Sequence, residues 1–276
     1  MECIVAENGV VFYRSKLIPC IHGFSTRIGG VSKLPHTLGL NLGVGRGDSI
    51  DTVLDNLEIF SDALGIDAKS VISVSQIHSS NIRYVDNDEC GEGFFKKEGE
   101  PCDGYITSSF DVTLGVRTAD CVPILLYAPP NNKFCGAVSA IHAGWRGTAL
   151  GISGKAVSEL CRMGAEASEI RAAIGPAIEK CCYFVRDDFY ESFCSMAGKD
   201  IADKYVLPIG DHTWVADLKG VNRALLISCG LAEENIDVCD KCTCCNPDEF
   251  YSHRYSKGMR GTMLSVISMN KKQGEQ

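Results

Sequence analysis

With 276 residues, 45% hydrophobic and 22% charged, the chain has the composition of an ordinary globular protein, which excludes a disordered one. A formal net charge of −8 argues against nonspecific binding to nucleic acid or to an anionic membrane, both of which need a basic surface. The sequence holds no internal repeat, low-complexity tract or Pro/Ser-rich linker, so a single domain over residues 1–276 is expected.

The elements read as follows in chain order. Residues 49–65 form an amphipathic helix, with Val53, Leu54, Leu57, Phe60 and Leu64 at helical spacing, Asp48 or Ser49 as cap and Gly65 as stop. Residues 71–74 and 82–85 are short strands flanking a turn that carries His78. Strands at 103–107, 112–116, 122–127 and 134–141 follow, rich in β-branched residues, and Pro129-Pro130-Asn131-Asn132 joins the last two as a hairpin connection. Residues 148–163 are expected to be helical, although Gly151 and Gly154 weaken that helix. A strand at 170–174, helices at 187–196 and 215–229 and a final strand at 263–267 complete the chain. Clustered strands with helices between them predict an α+β or mixed α/β domain rather than a pure doubly wound sheet.

Fifteen cysteines are an odd number, so at least one thiol stays outside any intramolecular disulfide. The opening MECIVAENGVVFYRSK lacks a basic stretch followed by a long apolar run, and no segment approaches the length of a membrane span. A cytoplasmic protein with free thiols is therefore expected, which adds weight to a metal or catalytic role for some of them.

Three soft-ligand residues stand in separate strand-like contexts: His78 in SVSQIHSSN, Cys121 in RTADCVPILL and His142 in SAIHAGWRG. Two imidazoles and a thiolate bind Zn²⁺ and leave a fourth position open for chemistry. A lone His beside a strand is more often an ordinary packed or surface residue, and most intracellular cysteines are small buried hydrophobes. The contexts favour function, because each strand end feeds a polar or glycine-rich loop. Cys121 has a second reading as a direct nucleophile, since a thiolate beside His is reactive.

Several blocks, taken together, resemble one family. They are FSTRIGGVS at 24–32, LNLG at 40–43, SQIHS at 75–79, CDGYIT at 102–107, RTADCVPILL at 117–126, HAGWRGT at 142–148, AIGPAIEKCCYFV at 173–185 and FYSHRY at 250–255. They are similar to the laccase-domain or "polyphenol oxidase" family, understood as zinc-dependent purine nucleoside phosphorylases. The resemblance implies an α+β fold, a mixed β-sheet sandwich flanked by helices. It implies phosphorolysis of adenosine, inosine, guanosine and methylthioadenosine, together with deamination of adenosine. It also implies that His78, Cys121 and His142 ligate the catalytic zinc, with purine nucleosides and phosphate as partners.

The copper label attached to the family has a test in the sequence. A multicopper laccase needs paired HxH motifs, and this chain has six histidines and no HxH. A single His₂Cys copper centre remains the rival, because blue-copper sites use the same trio. A noncatalytic scaffold with the same fold is the third class, and the presence of all three ligands argues against it.

Phosphate and ribose need donors. Arg27, Arg46, Arg117 and Arg146 are the candidates, since a planar guanidinium suits phosphate oxygens; a surface ion pair is the ordinary alternative for each. Gln76 and Asp103 are candidates for orienting ligands or substrate. Two positions depart from the family pattern. Gly45-Arg46-Gly47-Asp48 stands where many relatives carry His, and Phe184 stands where the residue after CCY is usually Glu. Cys239, Cys242, Cys244 and Cys245 form a second thiol cluster, read as free thiols or a structural metal site, whereas Cys181-Cys182 reads as packing. His253 reads as structural, or as facing the cleft from the C-terminal end.

Overall fold

The computed structural model describes residues 1–269, so the last seven positions of the expected 1–276 domain lie outside the described residues. The strands and helices run β1 (Glu2–Val5), β2 (Val11–Arg14), β3 (Ile21–Ser25), α1 (Ile50–Leu64), β4 (Val71–Ile72), β5 (Ile82–Tyr84) and β6 (Gly104–Thr107). Next come β7 (Thr113–Thr118), β8 (Val122–Ala128), β9 (Ala137–Ala143), α2 (Trp145–Ala149), α3 (Ile152–Arg162) and β10 (Arg171–Ile174). The last third holds β11 (Phe184–Val185), α4 (Asp187–Ala197), α5 (Lys199–Tyr205), β12 (Val206–Gly210), β13 (Thr213–Ala216), α6 (Leu218–Ser228), β14 (Ile236–Val238) and β15 (Met263–Ser268).

Two six-stranded mixed sheets carry the architecture, in the orders β1-β2-β3-β15-β7-β4 and β14-β10-β8-β9-β6-β5. The central strands are buried on both faces and therefore read as nearly unbroken apolar runs. In β15, Met263 and Ile267 pack between the sheets, while Leu264 and Val266 face α1 with Val53, Leu57, Phe60 and Leu64. In β8, Val122, Ile124 and Leu126 face the helices of the other side, and Leu125 faces the inter-sheet core with Val138, Ala140 and Tyr105. The result is four layers: α1, first sheet, second sheet, and the α2–α6 face. It is the α+β sandwich that the resemblance implied. A small sheet, β11-β13-β12, borders the helical layer.

Local chemistry explains most element ends. Ser49 caps α1 by accepting from the Thr52 N–H at 3.2 Å, and Gly65 ends it in the left-handed region at φ 72°. Asp48, the other candidate cap, instead accepts from Ser32, Thr37 and Asn41. The single helix expected at 148–163 is two, α2 and α3, because Gly151 takes φ 73° between them. The helix expected from residue 215 starts at Leu218. Val215 belongs to β13, and Asp217 caps the helix through the Gly220 N–H. The strand expected at 71–74 stops at Ile72. Among the described residues, β1 to β3, β11 to β14 and α5 had no counterpart of their type in the sequence reading. No helix among the described residues is long and apolar enough to cross a membrane.

Two connections position the site. The β4–β5 and β7–β8 loops each pass from the first sheet to the second. They meet the start of β6 and the end of β9, whose register pairs Gly104 with Ile141 and Val122 with Ala143.

Candidate metal centre and its cleft

His78, Cys121 and His142 come together where those two crossing loops meet β9. Their ligand atoms all lie within 4.8 Å of one another. The Cys121 Sγ is 3.8 Å from the His78 Nε2, and the two imidazole rings sit edge-to-face at 4.9 Å. In a tetrahedral zinc site with ordinary bond lengths, a sulfur and a nitrogen ligand stand about 3.6 Å apart, so the donor set fits such an ion.

Each ligand has its own local cause. His142 is the penultimate residue of β9, on the strand face that looks into the inter-sheet core, and is buried. Cys121 ends the three-residue crossing Ala119-Asp120-Cys121, in which Asp120 adopts φ 93°. That unfavourable backbone is held by the Asp120 carboxylate, which accepts from the Thr243 hydroxyl and the Arg254 N–H, both at 2.6 Å. His78 also has positive φ, 58°, in a loop folded around Asp103.

Asp103 is the organiser of the site. It is fully buried, and its carboxylate accepts from the backbone N–H groups of Ile77, His78 and Ser79 and from the Ser79 hydroxyl. It also accepts from His142 Nδ1 at 2.8 Å, which leaves Nε2 as the nitrogen that faces Cys121. Burial alone would raise the Asp103 carboxyl, but these hydrogen bonds, led by those from His142 and Ser79, hold it below its ordinary value. Burial likewise pushes the Cys121 thiol up. The adjacent His142 charge, with hydrogen bonds from both imidazoles, outweighs this and brings it down to about 6, so the ligand-competent thiolate is favoured. His142 moves the opposite way: burial disfavours its charge, yet Cys121 and Asp103 raise it to about 9.

The glycines of HAGWRG make room for this packing. A Cβ on Gly144 would stand 2.6 Å from His78 Cδ2 and 3.4 Å from His142 Cε1, and one on Gly147 would stand 2.7 Å from the Ser79 carbonyl oxygen.

The centre opens into a cleft of about 400 Å³, lined by Arg46, Gln76, Glu98, Arg117, Arg260 and Thr262 among others. Three guanidinium groups thus face one opening beside the ligands. Arg117 is half-buried, donates to the Ser73 carbonyl at 2.9 Å and lies 3.8 Å from Glu98. Arg260 bonds the Thr262 hydroxyl, and its buried Nε has no acceptor among the described residues. Burial first, and then repulsion from Arg46, destabilises the charge of both Arg117 and Arg260. A guanidinium nevertheless stays protonated at neutral pH, so the cleft is a focused cationic site in an acidic protein.

The sequence candidates therefore divide. Arg46, Arg117 and Gln76 line the cleft. The Gln76 amide is spent on the backbone of Arg117, with bonds of 2.8 and 2.7 Å, so it stitches the His78 loop to β7. Asp103 lies behind the ligands rather than in the cleft. Arg27 points elsewhere: it donates to the carbonyls of Leu38 and Pro247 and stacks on Tyr251 at 4.7 Å. Arg146 is exposed, stacks on Trp145 at 4.2 Å and does not line the cleft. Phe184 is half exposed on β11 and does not line it either. Arg260 was missed. Its signal was an arginine between two glycines, Gly258-Met259-Arg260-Gly261, immediately before the last strand.

Known proteins resemble this chain in sequence and in fold. The chain is 34% identical to the Bacillus subtilis protein "Purine nucleoside phosphorylase YlmD", over 90% of this chain and 88% of that one. It is 33% identical to "Adenosine deaminase RL5" from an unknown prokaryotic organism, over 87% and 90% of the two chains. The crystal structure of YlmD from Geobacillus stearothermophilus superposes with a TM-score of 0.85 at 31% identity, covering 95% of this chain and 96% of that one. The family profile described as "Multi-copper polyphenol oxidoreductase laccase" matches residues 21–270, and the chain belongs to that family.

Proposed function

We propose that this chain is a purine nucleoside phosphorylase that also deaminates adenosine, with zinc held by His78, Cys121 and His142. The observation that carries the reading is the juxtaposition of a three-ligand centre with a cleft lined by Arg46, Arg117 and Arg260. Relatives named as purine nucleoside phosphorylases and as an adenosine deaminase, at 33–34% identity, support the same assignment.

The residues present suit zinc: two imidazoles, a thiolate and a buried carboxylate behind one imidazole. When bound, zinc supplies Lewis-acid activation of an oxygen nucleophile near neutral pH. The chain supplies the rest. Asp103 keeps the His142 proton on Nδ1 and fixes the His78 loop, so both rings are oriented before substrate arrives. Arg46, Arg117 and Arg260 bind phosphate by bidentate, charge-assisted hydrogen bonds and place its oxygen toward the ribose C1′. Deamination needs water in place of phosphate and leaves the arginines without a reacting partner. The copper-oxidase alternative would use the same three ligands, but three arginines at the mouth suit an anion rather than a neutral phenol.

The test is to incubate the zinc-loaded protein with adenosine, with and without phosphate, and to identify products by mass spectrometry. Adenine and ribose-1-phosphate formed only with phosphate are expected, with inosine in both reactions. Oxidation of a phenol by the copper-loaded protein, with no nucleoside turnover by the zinc-loaded one, would reject the reading. Inosine, guanosine and methylthioadenosine are the further substrates to compare.

A further inference from the structure

The molecule holds a second convergence of soft ligands, remote in chemistry from the first. The thiols of Cys181, Cys182, Cys242 and Cys245 all lie within 4.8 Å of one another. The Cys245 sulfur is 3.5 Å from that of Cys181 and 3.3 Å from that of Cys182. We propose that these four cysteines form a structural tetrathiolate site for a single Zn²⁺ ion, separate from the His78, Cys121 and His142 centre.

Three observations support it. The first is distance. Four thiolates around one zinc at ordinary bond lengths stand about 3.8 Å apart, close to the observed separations, whereas an iron–sulfur cluster needs its cysteines spread much wider. The second is local form. Cys242-Thr243-Cys244-Cys245 has the C-x2-C spacing of zinc-binding turns, and the Cys242 sulfur accepts the Glu179 N–H at 3.4 Å. Cys181 and Cys182 end a helical turn in which the Cys182 N–H bonds the Glu179 carbonyl at 2.9 Å, so adjacent side chains converge from two directions.

The third is preorganisation. The two cysteine-bearing turns are fixed together by groups other than the sulfurs. The buried Lys219 ammonium on α6 donates to the Glu179 carboxylate and the Cys239 carbonyl, each at 2.7 Å, and to the Lys241 carbonyl at 2.9 Å. Ala177 and Cys242 form a parallel bridge, and the Thr243 N–H bonds the Ala177 carbonyl. Thr243 is also the residue whose hydroxyl holds Asp120, next to Cys121. An ion at the four cysteines therefore clamps the segment that supports the crossing loop of the catalytic centre.

The experiment measures metal content of the full chain, prepared with zinc under reducing conditions and desalted. About two zinc ions per chain are expected for the unaltered protein and about one each for Cys121→Ser and Cys245→Ser. Cobalt loading of Cys121→Ser adds a test that needs no change in the cluster: intense tetrahedral thiolate absorption is expected to persist. Cys181→Ser serves as a second cluster variant should Cys245→Ser fail to fold. Unchanged zinc in both cluster variants, or a Cys121→Ser protein with neither zinc nor cobalt–thiolate absorption, would overturn the proposal. Nucleoside turnover is not used as a readout, so failure here is distinct from failure of the proposed activity.

Discussion

The two ligand clusters differ in ways that separate chemistry from architecture. The His78, Cys121 and His142 centre mixes nitrogen and sulfur, takes its ligands from three distant stretches of chain and opens into an arginine-lined cleft. A buried carboxylate behind it fixes one imidazole and a whole loop. The four-cysteine cluster is all sulfur, comes from two turns, and has its sulfurs meeting one another and a backbone N–H. Three ligands with an open side suit catalysis, whereas four alike with no free position suit a clamp.

The sharpest way to break this contrast is Cys121→Ser. Nucleoside turnover should fall to background and zinc content should drop, with metal analysis and product assays as the check. A variant that turns over normally without zinc would remove the centre from the mechanism. Asp103→Asn comes next. Asp103 orients His142 and the His78 loop, so the change should weaken zinc retention or turnover at the first centre by roughly 10- to 100-fold. Chelator competition reads the first and steady-state kinetics the second.

Arg260→Ala and Arg46→Ala act on the cleft alone. Loss of one charge-assisted bond to phosphate, about 1.5–3 kcal/mol, should raise the phosphate KM by about tenfold or more while sparing deamination. Equal loss of both reactions would deny these arginines a phosphate-specific role. The smallest effect is expected far from either cluster. Ser49→Ala removes the α1 cap and should cost about 1 kcal/mol in denaturant unfolding, with turnover unchanged.

Arg27 and Arg260 show where reading from sequence stopped. Both are arginines in glycine-containing contexts, and sequence alone selected the wrong one for the cleft. Arg27 spends its donors on the carbonyls of Leu38 and Pro247, which a linear pattern does not reveal. The cysteines teach the same lesson. Spacing grouped Cys239, Cys242, Cys244 and Cys245, whereas the fold pairs Cys242 and Cys245 with Cys181 and Cys182, from a distant stretch of the chain. The break at Gly151 was half visible, as a glycine that weakened the helix, whereas the strand that claims Val215 was harder, since it depends on pairing with Phe184 and Leu207 on other strands.

Periodicity, caps and turn residues determined α1 and the β8–β9 hairpin, because those signals act within a few residues. The resemblance of the blocks around His78, Cys121 and His142 singled out the ligands. Only the tertiary structure decided how the two sheets stack, that two loops cross between them beside β9, which arginines line the cleft there and which cysteines meet. Distances between residues dozens of positions apart are set by packing of whole layers, and no local pattern encodes them.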